Sequence, residues 1–179
     1  MLNLKKWLPQ GISISQTVTG MGLLIALHLV MNQFSLVLTP TLKISFAFLT
    51  SAVMGAVFGP IYAGLGAIFT DILGFVLKPS GFFFPGFTLN AFLAGIIYGV
   101  FLFQKGYNVK RIILAKVVTT VLVSFILTPI WLNIMYQSPL FIVARYIRTA
   151  IKFPIDVALL LLVMRALYKT RIYAKMTQH

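Results

Sequence analysis

The 179-residue sequence contains few side chains that could carry out a reaction. Its acidic residues are Asp71 and Asp156, its histidines are His28 and His179, and cysteine is absent. It has no HExxH pattern of zinc hydrolases, no GxSxG pattern that presents a nucleophilic serine, and no GxxxxGKS/T loop that cradles ATP phosphates. We therefore expect no catalytic residues, no metal site, no cofactor and no ATP hydrolysis by this chain.

A stripe of charged residues near the C-terminus is the densest polar signal. Its members follow one another at spacings of three, four and four residues, which places them on one face of a helix. They are Arg145, Arg148, Lys152 and Asp156. Because arginine binds carboxylates through two parallel hydrogen bonds, the stripe favours an anionic ligand. The alternative is that the cations extend toward lipid phosphates.

Asp71 lies in an apolar segment, where an unpaired carboxylate is costly. One interpretation is a buried salt bridge with Lys152 or Arg148. The other is a hydrogen-bond acceptor for a ligand that carries neighbouring N–H donors.

An aromatic segment with the sequence GFFFPGF follows at 81–87. Its rings, Phe83 and Phe84 among them, either anchor the chain at the membrane interface or stack on a flat heteroaromatic ligand. Asn90 follows one turn later and offers an amide to the same ligand. Lys78 precedes the segment and adds a cation on the same side. We predict that all four residues bind the ligand.

The composition indicates the elements that position these residues. Hydrophobic residues make up 60% of the chain and charged residues 9%, against about a quarter charged in soluble domains. Charged residues are absent from 7–42, 44–70, 79–104 and 117–144, and each gap exceeds the roughly 20 residues that cross a bilayer core. The net charge of +13 lies at the ends of apolar segments, which indicates a lipid bilayer as partner and no nucleic acid.

The apolar segments predict an all-α integral membrane protein whose six transmembrane helices form a compact bundle. We expect a single domain over residues 1–179. Gly59-Pro60 is a strong turn signal and separates the second span from the third. The predicted spans cover about 14–38, 44–58, 61–77, 87–103, 112–136 and 141–168.

The distribution of lysine and arginine predicts the orientation. With the N-terminus inside, ten of the 15 basic residues fall on the cytoplasmic side and five on the outer side. Cytoplasmic loops carry the excess of positive charge, so both termini are predicted to be cytoplasmic. The five outer cations oppose this rule and suggest a function there. They are Lys43, Lys78, Arg145, Arg148 and Lys152.

Two pairs of residues four apart mark the first span. Gly22 and Ala26 form a small-residue pattern that lets another backbone approach closely. His28 and Asn32 share a different face. They either line the ligand cavity, or the histidine is a core side chain with satisfied hydrogen bonds.

These features together resemble the substrate-binding S components of energy-coupling factor (ECF) vitamin transporters, which are small six-helix membrane proteins. The resemblance covers nearly the whole chain. Gly22 and Ala26 resemble the family's first-helix Ala-xxx-Ala motif, with glycine replacing the first alanine. The segment GFFFPGFTLNAFLAGIIYG at 81–99 resembles the folate-specific branch, as does RYIR at 145–148 before a proline-containing last helix.

The resemblance implies a chain that binds folate with high affinity at the outer face of a prokaryotic plasma membrane. It would deliver the vitamin together with a transmembrane coupling subunit, which the first-helix motif contacts, and two ATPase subunits. From the chemistry of folate, Asp71 or Asp156 would accept hydrogen bonds from the pterin, on which the phenylalanines would stack. Arg145, Arg148 and Lys152 would hold the carboxylates of the glutamate tail.

Two alternatives remain. Within the same class, the ligand would be another vitamin such as riboflavin or pantothenate. From a different class, the chain would be a membrane scaffold without a transport function, or an intramembrane enzyme.

Overall fold

A computed structural model of the chain describes residues 13–33, 36–39, 42–44, 46–79, 82–137 and 143–170. Within these ranges the regular elements are helices apart from one short hairpin. One long helical stretch between residues 109 and 136 changes from α-helix to π-helix and back. The elements are α1 (Ile14–Gln33), β1 (Leu36–Thr39), β2 (Leu42–Ile44), α2 (Ala47–Leu77), α3 (Pro85–Leu102), α4 (Val109–Thr119), a π-helical segment (Thr120–Leu127), α5 (Thr128–Tyr136) and α6 (Val143–Lys169).

The described membrane-spanning elements are helical, as the all-α prediction expects, and a short hairpin that was not predicted follows the first helix. The first span was expected to continue to residue 38, but α1 ends at Gln33, and β1 pairs with β2 in antiparallel register. Leu36 opposes Ile44 and Val37 opposes Lys43. Pro40 lies in sequence between two short apolar runs, and such an arrangement suits a hairpin as well as a helix end. The second span accordingly begins at Ala47 rather than at 44.

Helix α2 contains the break that Gly59-Pro60 predicted. Gly59 has φ 84° and ψ 175°, outside the helical region, while the residues before and after it are helical. The positive φ favours glycine, and Pro60 has no N–H to donate to the preceding turn. The predicted second and third spans are therefore the two parts of one 31-residue helix bent at Gly59.

The long stretch from 109 to 136 corresponds to the predicted fifth span. It begins three residues earlier than predicted because the Asn108 side chain caps α4, accepting hydrogen bonds from the N–H groups of Lys110 and Arg111. Its middle eight residues are π-helical. At their end the Thr128 hydroxyl donates to the carbonyl of Val123, five residues back, at 2.7 Å. No feature of the sequence predicts this π-helical segment.

Among the described residues, four helical stretches are long and apolar enough to cross a membrane: α1, α2, α3 and the stretch from 109 to 136. Helix α6 has 27 residues but carries several charges. Large apolar side chains cover the outer faces of these helices, as expected where lipid is the solvent. Leu23, Val76 and Leu162 are each at least 66% exposed.

Close packing between α2 and α3 forms the centre of the fold. A side chain on Gly99 would overlap the backbone of Pro60, and one on Gly95 would overlap Ala63. These small residues let the two backbones approach, as in other membrane helix pairs. The core beside this contact unites α2 and α3 with α4 and α6. Its largest fully buried side chains are Tyr98, Leu102, Ile112, Leu160 and Met164.

Candidate functional site

A cavity of about 600 Å³ lies where α1, α2 and α5 end and α3 begins. This volume is in the range of small-molecule sites. Its polar lining comes from α1 and α2, and its aromatic lining from the segment before α3 and from nearby helix ends. The polar members include His28, Asn32, Ser51, Thr70, Asp71 and Lys78. The aromatic members are Phe75, Phe82, Phe83, Phe84, Phe87 and Tyr136.

The aromatic rings pack edge to face and form one wall of the cavity. Phe83 lies 5.3 Å from Phe75, and Phe84 lies 6.1 Å from Phe87, measured between ring centroids. Phe84 also precedes α3, whose first residue is Pro85, a favoured residue at a helix start. Phe83 is nevertheless 44% exposed, so part of its surface is free to contact a ligand. The structure thus places both predicted phenylalanines, Phe83 and Phe84, at the cavity.

Asp71 lies on α2 and lines the cavity. Its Oδ2 accepts a hydrogen bond from the Thr88 hydroxyl at 2.7 Å. The predicted alternative, a salt bridge to Lys152 or Arg148, is not among the ion pairs of the described side chains, which join Asp156 to Lys116 and to Lys152. The carboxylate therefore retains acceptor capacity on the cavity side.

Lys78 follows Asp71 by seven residues, about two helical turns or 10 Å along the axis. It immediately follows the last residue of α2 and also lines the cavity. The polar wall thus presents an anionic acceptor in its interior and a cation at its rim.

Asn90 does not line the cavity but supports its aromatic wall. Its side chain is buried, with its Oδ1 accepting from Trp131 Nε1 at 3.0 Å and its Nδ2 donating to Thr128 Oγ1 at 3.3 Å. The Trp131 ring lies 5.7 Å from Phe84. The amide that was predicted to bind the ligand is thus engaged in holding α5 against α3.

The charged stripe of α6 lies elsewhere. Asp156 is buried and forms a 2.8 Å ion pair with Lys116 of α4, while Lys152 lies 3.6 Å from the same oxygen. The Lys116 ammonium also lies 3.8 Å from the centre of the Phe48 ring. Of the predicted stripe, Arg148, Lys152 and Asp156 are not in the cavity lining. The side chain of Arg145 lies outside the described residues.

Two residues were missing from the predictions: Lys116, outside the cavity, as the partner of Asp156, and His28 as a committed member of the cavity. Lys116 lies within the predicted fifth span, and a charge at that position in an apolar helix signals a buried partner. His28 was left between a cavity role and a core role, and the structure combines them: the ring lines the cavity while its Nδ1 contacts Thr50 Oγ1 at 2.8 Å.

The small-residue pair of α1 faces away from the bundle. Gly22 and Ala26 are exposed, and a Cβ built on Gly22 would lie more than 4 Å from every described residue outside its own helix turn. Helix α1 buries only Thr17 and Met21 against the rest of the chain. The pair therefore forms a flat apolar surface that is open to a partner helix.

Comparison with known proteins gives concordant matches. Folate transporter FolT of Clostridium novyi is 41% identical over 137 residues, 75% of this chain and 80% of that protein. Folate transporter FolT of Leuconostoc mesenteroides is 31% identical over 147 residues, 78% of this chain and 79% of that protein. The crystal structure of FolT bound with folic acid matches with a TM-score of 0.79 at 40% identity, covering 91% of this chain and 98% of that one.

The family model described as the substrate-specific component of ECF transporters matches residues 16–176. Such a component binds the transported substrate and is not an enzyme, in agreement with the scarcity of reactive side chains. The match and the relatives confirm the resemblance to S components: the chain belongs to the ECF transporter family as a substrate-specific component.

Proposed function

We propose that this chain is a high-affinity folate-binding S component, which captures folate at the outer face of the membrane. The cavity carries this proposal because it combines an acidic acceptor, aromatic rings and a cation. Folate offers the matching groups: a pterin with N–H donors, flat rings and an anionic glutamate tail. The FolT relatives and the folic acid complex of FolT support the same ligand.

The cavity suggests a role for each of its predicted residues. Asp71 accepts hydrogen bonds from the pterin, Phe83 and Phe84 contact its faces, and Lys78 pairs with a carboxylate of the tail. With these roles, the acceptor Asp71 lies in the interior of the cavity and the cation Lys78 lies at its rim. The charged glutamate tail of folate can remain hydrated at the rim.

The predicted residues outside the cavity lining receive roles other than the predicted direct contact with the ligand. Asn90 acts on the ligand by positioning Trp131 and Phe84. Arg148 and Lys152 attract the anionic ligand from outside the cavity, as does Arg145. Asp156, as the partner of Lys116 and Lys152, holds the stripe in place.

We also propose six membrane spans with both termini in the cytoplasm of a prokaryotic cell. The bend at Gly59 supports this number, since it divides α2 into two segments. The excess of basic residues on the side of the termini supports the orientation. The cavity then opens to the outer side of the plasma membrane.

The proposed partners are a transmembrane coupling subunit and two ATPase subunits. Membership of the ECF family supports this assembly. The exposed Gly22 and Ala26 of α1 provide the contact with the coupling subunit, because small residues permit close approach of a second helix.

Ligand binding tests the proposal directly. Trp131 packs against the aromatic wall, so a Trp7→Phe variant leaves it as the only tryptophan reporter. We expect folic acid to quench its fluorescence at near one-to-one stoichiometry, whereas riboflavin and pantothenate do not compete. Protein purified from cells grown without added vitamin should also carry folates identifiable by mass spectrometry. Absence of folate binding in both experiments would refute the proposed ligand.

A further inference from the structure

Among the described residues, His28 makes hydrogen-bond contacts at only one of its two ring nitrogens. Its Nδ1 lies 2.8 Å from Thr50 Oγ1 and 3.5 Å from Ser51 Oγ, both at the start of α2. The ring lines the cavity from α1. Its Nε2 has no hydrogen-bond partner within the part of the chain that the structure describes.

The hydrogen bonds of Thr50 determine which nitrogen carries the proton. Thr50 Oγ1 also lies 2.6 Å from the carbonyl oxygen of Ala47. A carbonyl cannot donate, so the single hydroxyl hydrogen of Thr50 must lie in that short contact. Thr50 Oγ1 is therefore the acceptor toward His28, and Nδ1 is the donor. Ser51 Oγ, which is farther from Nδ1, can at most share the Nδ1 hydrogen with Thr50.

A ring protonated at Nδ1 has its lone pair at Nε2 when it is neutral. Neutrality agrees with the surroundings, because no carboxylate of the described residues contacts the ring: Asp71 is bonded to Thr88, and Asp156 to Lys116. The cation Lys78 lines the same cavity and disfavours a second positive charge. His28 thus offers an acceptor to whatever occupies the cavity.

We propose that His28 Nε2 accepts a hydrogen bond from an N–H group of the bound heterocycle, and that Thr50 is the positioning residue that keeps the proton on Nδ1. The inference rests on the proposed function, because it deepens the description of the same site. Asp71 and His28 then present acceptors to the cavity from two different helices. Together they select planar ligands with N–H donors on their edges, because a ligand that presents lone pairs there leaves buried acceptors unpaired.

Two substitutions of His28 separate its two nitrogens. In His28→Asn the shorter amide reaches only the Nδ1 position, so it retains a donor to Thr50 and removes the acceptor. We expect about tenfold weaker binding of folic acid, as for loss of one buried hydrogen bond. In His28→Gln an oxygen reaches the Nε2 position and restores part of the affinity. Unchanged thermal unfolding of both variants in detergent shows that the fold is retained.

The tautomer is measured independently of the ligand by ¹⁵N NMR of histidine-labelled protein. The chain has two histidines, and the His28→Asn spectrum identifies the signals of His28. We expect a protonated Nδ1 and an unprotonated Nε2 in the ligand-free wild type and in Thr50→Ser. Thr50→Val, which has the same shape without the hydroxyl, should show a mixture of tautomers, and folic acid should shift the Nε2 signal of the wild type.

The outcomes are distinct for the two proposals. Equal affinity of wild type and His28→Asn would overturn the role of His28 and leave the folate assignment intact. A proton on Nε2 in the free wild type would overturn the tautomer, whatever the ligand. Failure of the wild type to bind folic acid would refute the proposed function, and the NMR spectrum would still decide the protonation of His28.

Discussion

At the scale of single residues, the side chain of Asp71 has two different tasks. One oxygen accepts the Thr88 hydroxyl at 2.7 Å, which fixes the carboxylate between α2 and α3. Its remaining acceptor capacity faces the cavity. Because the Asp71 carboxylate is already fixed in the free protein, less side-chain conformational entropy is lost when a ligand binds.

Asp71→Asn tests the acceptor role. An amide places N–H donors where the ligand also has donors, so we expect folic acid affinity to fall by about tenfold or more. Thr88→Val removes only the fixing hydrogen bond and should weaken binding less, while Thr88→Ser should restore it. Fluorescence titration of Trp131 in the Trp7→Phe background measures all three. Wild-type affinity in Asp71→Asn would contradict the assignment.

Part of the site could be predicted from single residues and part could not. Asp71, Lys78 and the phenylalanines stand near one another in sequence, at the junction of α2 and α3, and the fold places them together at the cavity. The other polar residues depend on distant partners. Trp131 and Asn90 are 41 residues apart, and Lys116 and Asp156 are 40 apart. Local spacing contains no information about such pairs.

At the scale of elements, the ion pair of Lys116 and Asp156 joins α4 to α6. Both side chains are at least 90% buried, and Lys116 also lies over the Phe48 ring of α2. A buried pair contributes little net stability compared with apolar side chains of similar volume, but breaking it leaves an uncompensated charge. The pair therefore fixes which faces of α4 and α6 meet.

Lys116→Met tests this contact. The substitution leaves Asp156 with only the longer contact to Lys152, so we expect a loss of about 3–5 kcal/mol of stability, seen as a lower unfolding temperature in detergent. The double variant Lys116→Met/Asp156→Leu removes both charges and should recover most of that loss. Arg165→Met, which removes a cation from an exposed position of α6, is the matched control. Equal destabilisation in the single and double variants would contradict the pairing.

The elements themselves were predictable where a residue breaks the backbone pattern. Gly59-Pro60 predicted the bend of α2 because the features that produce it belong to the residues themselves. Glycine tolerates a positive φ, and proline has no N–H. The hairpin was missed because β1 and β2 have only four and three residues, and an apolar run of that length fits a helix equally well. The π-helical segment was missed because its backbone hydrogen bonds join residues five apart instead of four. This change leaves no mark in the pattern of apolar residues.

At the scale of the whole molecule, the residues proposed to bind the ligand and the partner lie on different faces of α1. His28 faces inward and lines the cavity, while Gly22 and Ala26 lie on an exposed face with little of the chain packed over them. Helix α1 buries few of its residues, so it packs less tightly against the bundle than α2 packs against α3. A helix packed this weakly can shift when a ligand fills the cavity on one face or when a partner helix binds to the other.

Gly22→Leu separates these two functions. A Cβ at this position would lie more than 4 Å from every described residue outside its own helix turn, and the position is exposed, so we expect unchanged folic acid affinity and thermal stability. The same side chain holds a second backbone away from α1. Uptake into proteoliposomes that contain the coupling subunit, two ATPases and ATP should therefore fall by about tenfold or more, which corresponds to a loss of roughly 1.4 kcal/mol at the contact.

Two controls make this result specific. Leu23→Phe adds bulk at an exposed position about 100° around the same helix and should support uptake. Gly20→Leu adds it where a Cβ would lie 2.6 Å from the Phe58 ring, so it should lower the unfolding temperature, which distinguishes damage to the bundle from loss of docking. Wild-type uptake by Gly22→Leu would exclude this surface as the contact. Loss of uptake with full folic acid binding is the expected result, and it would show that ligand binding does not need the contact with the coupling subunit.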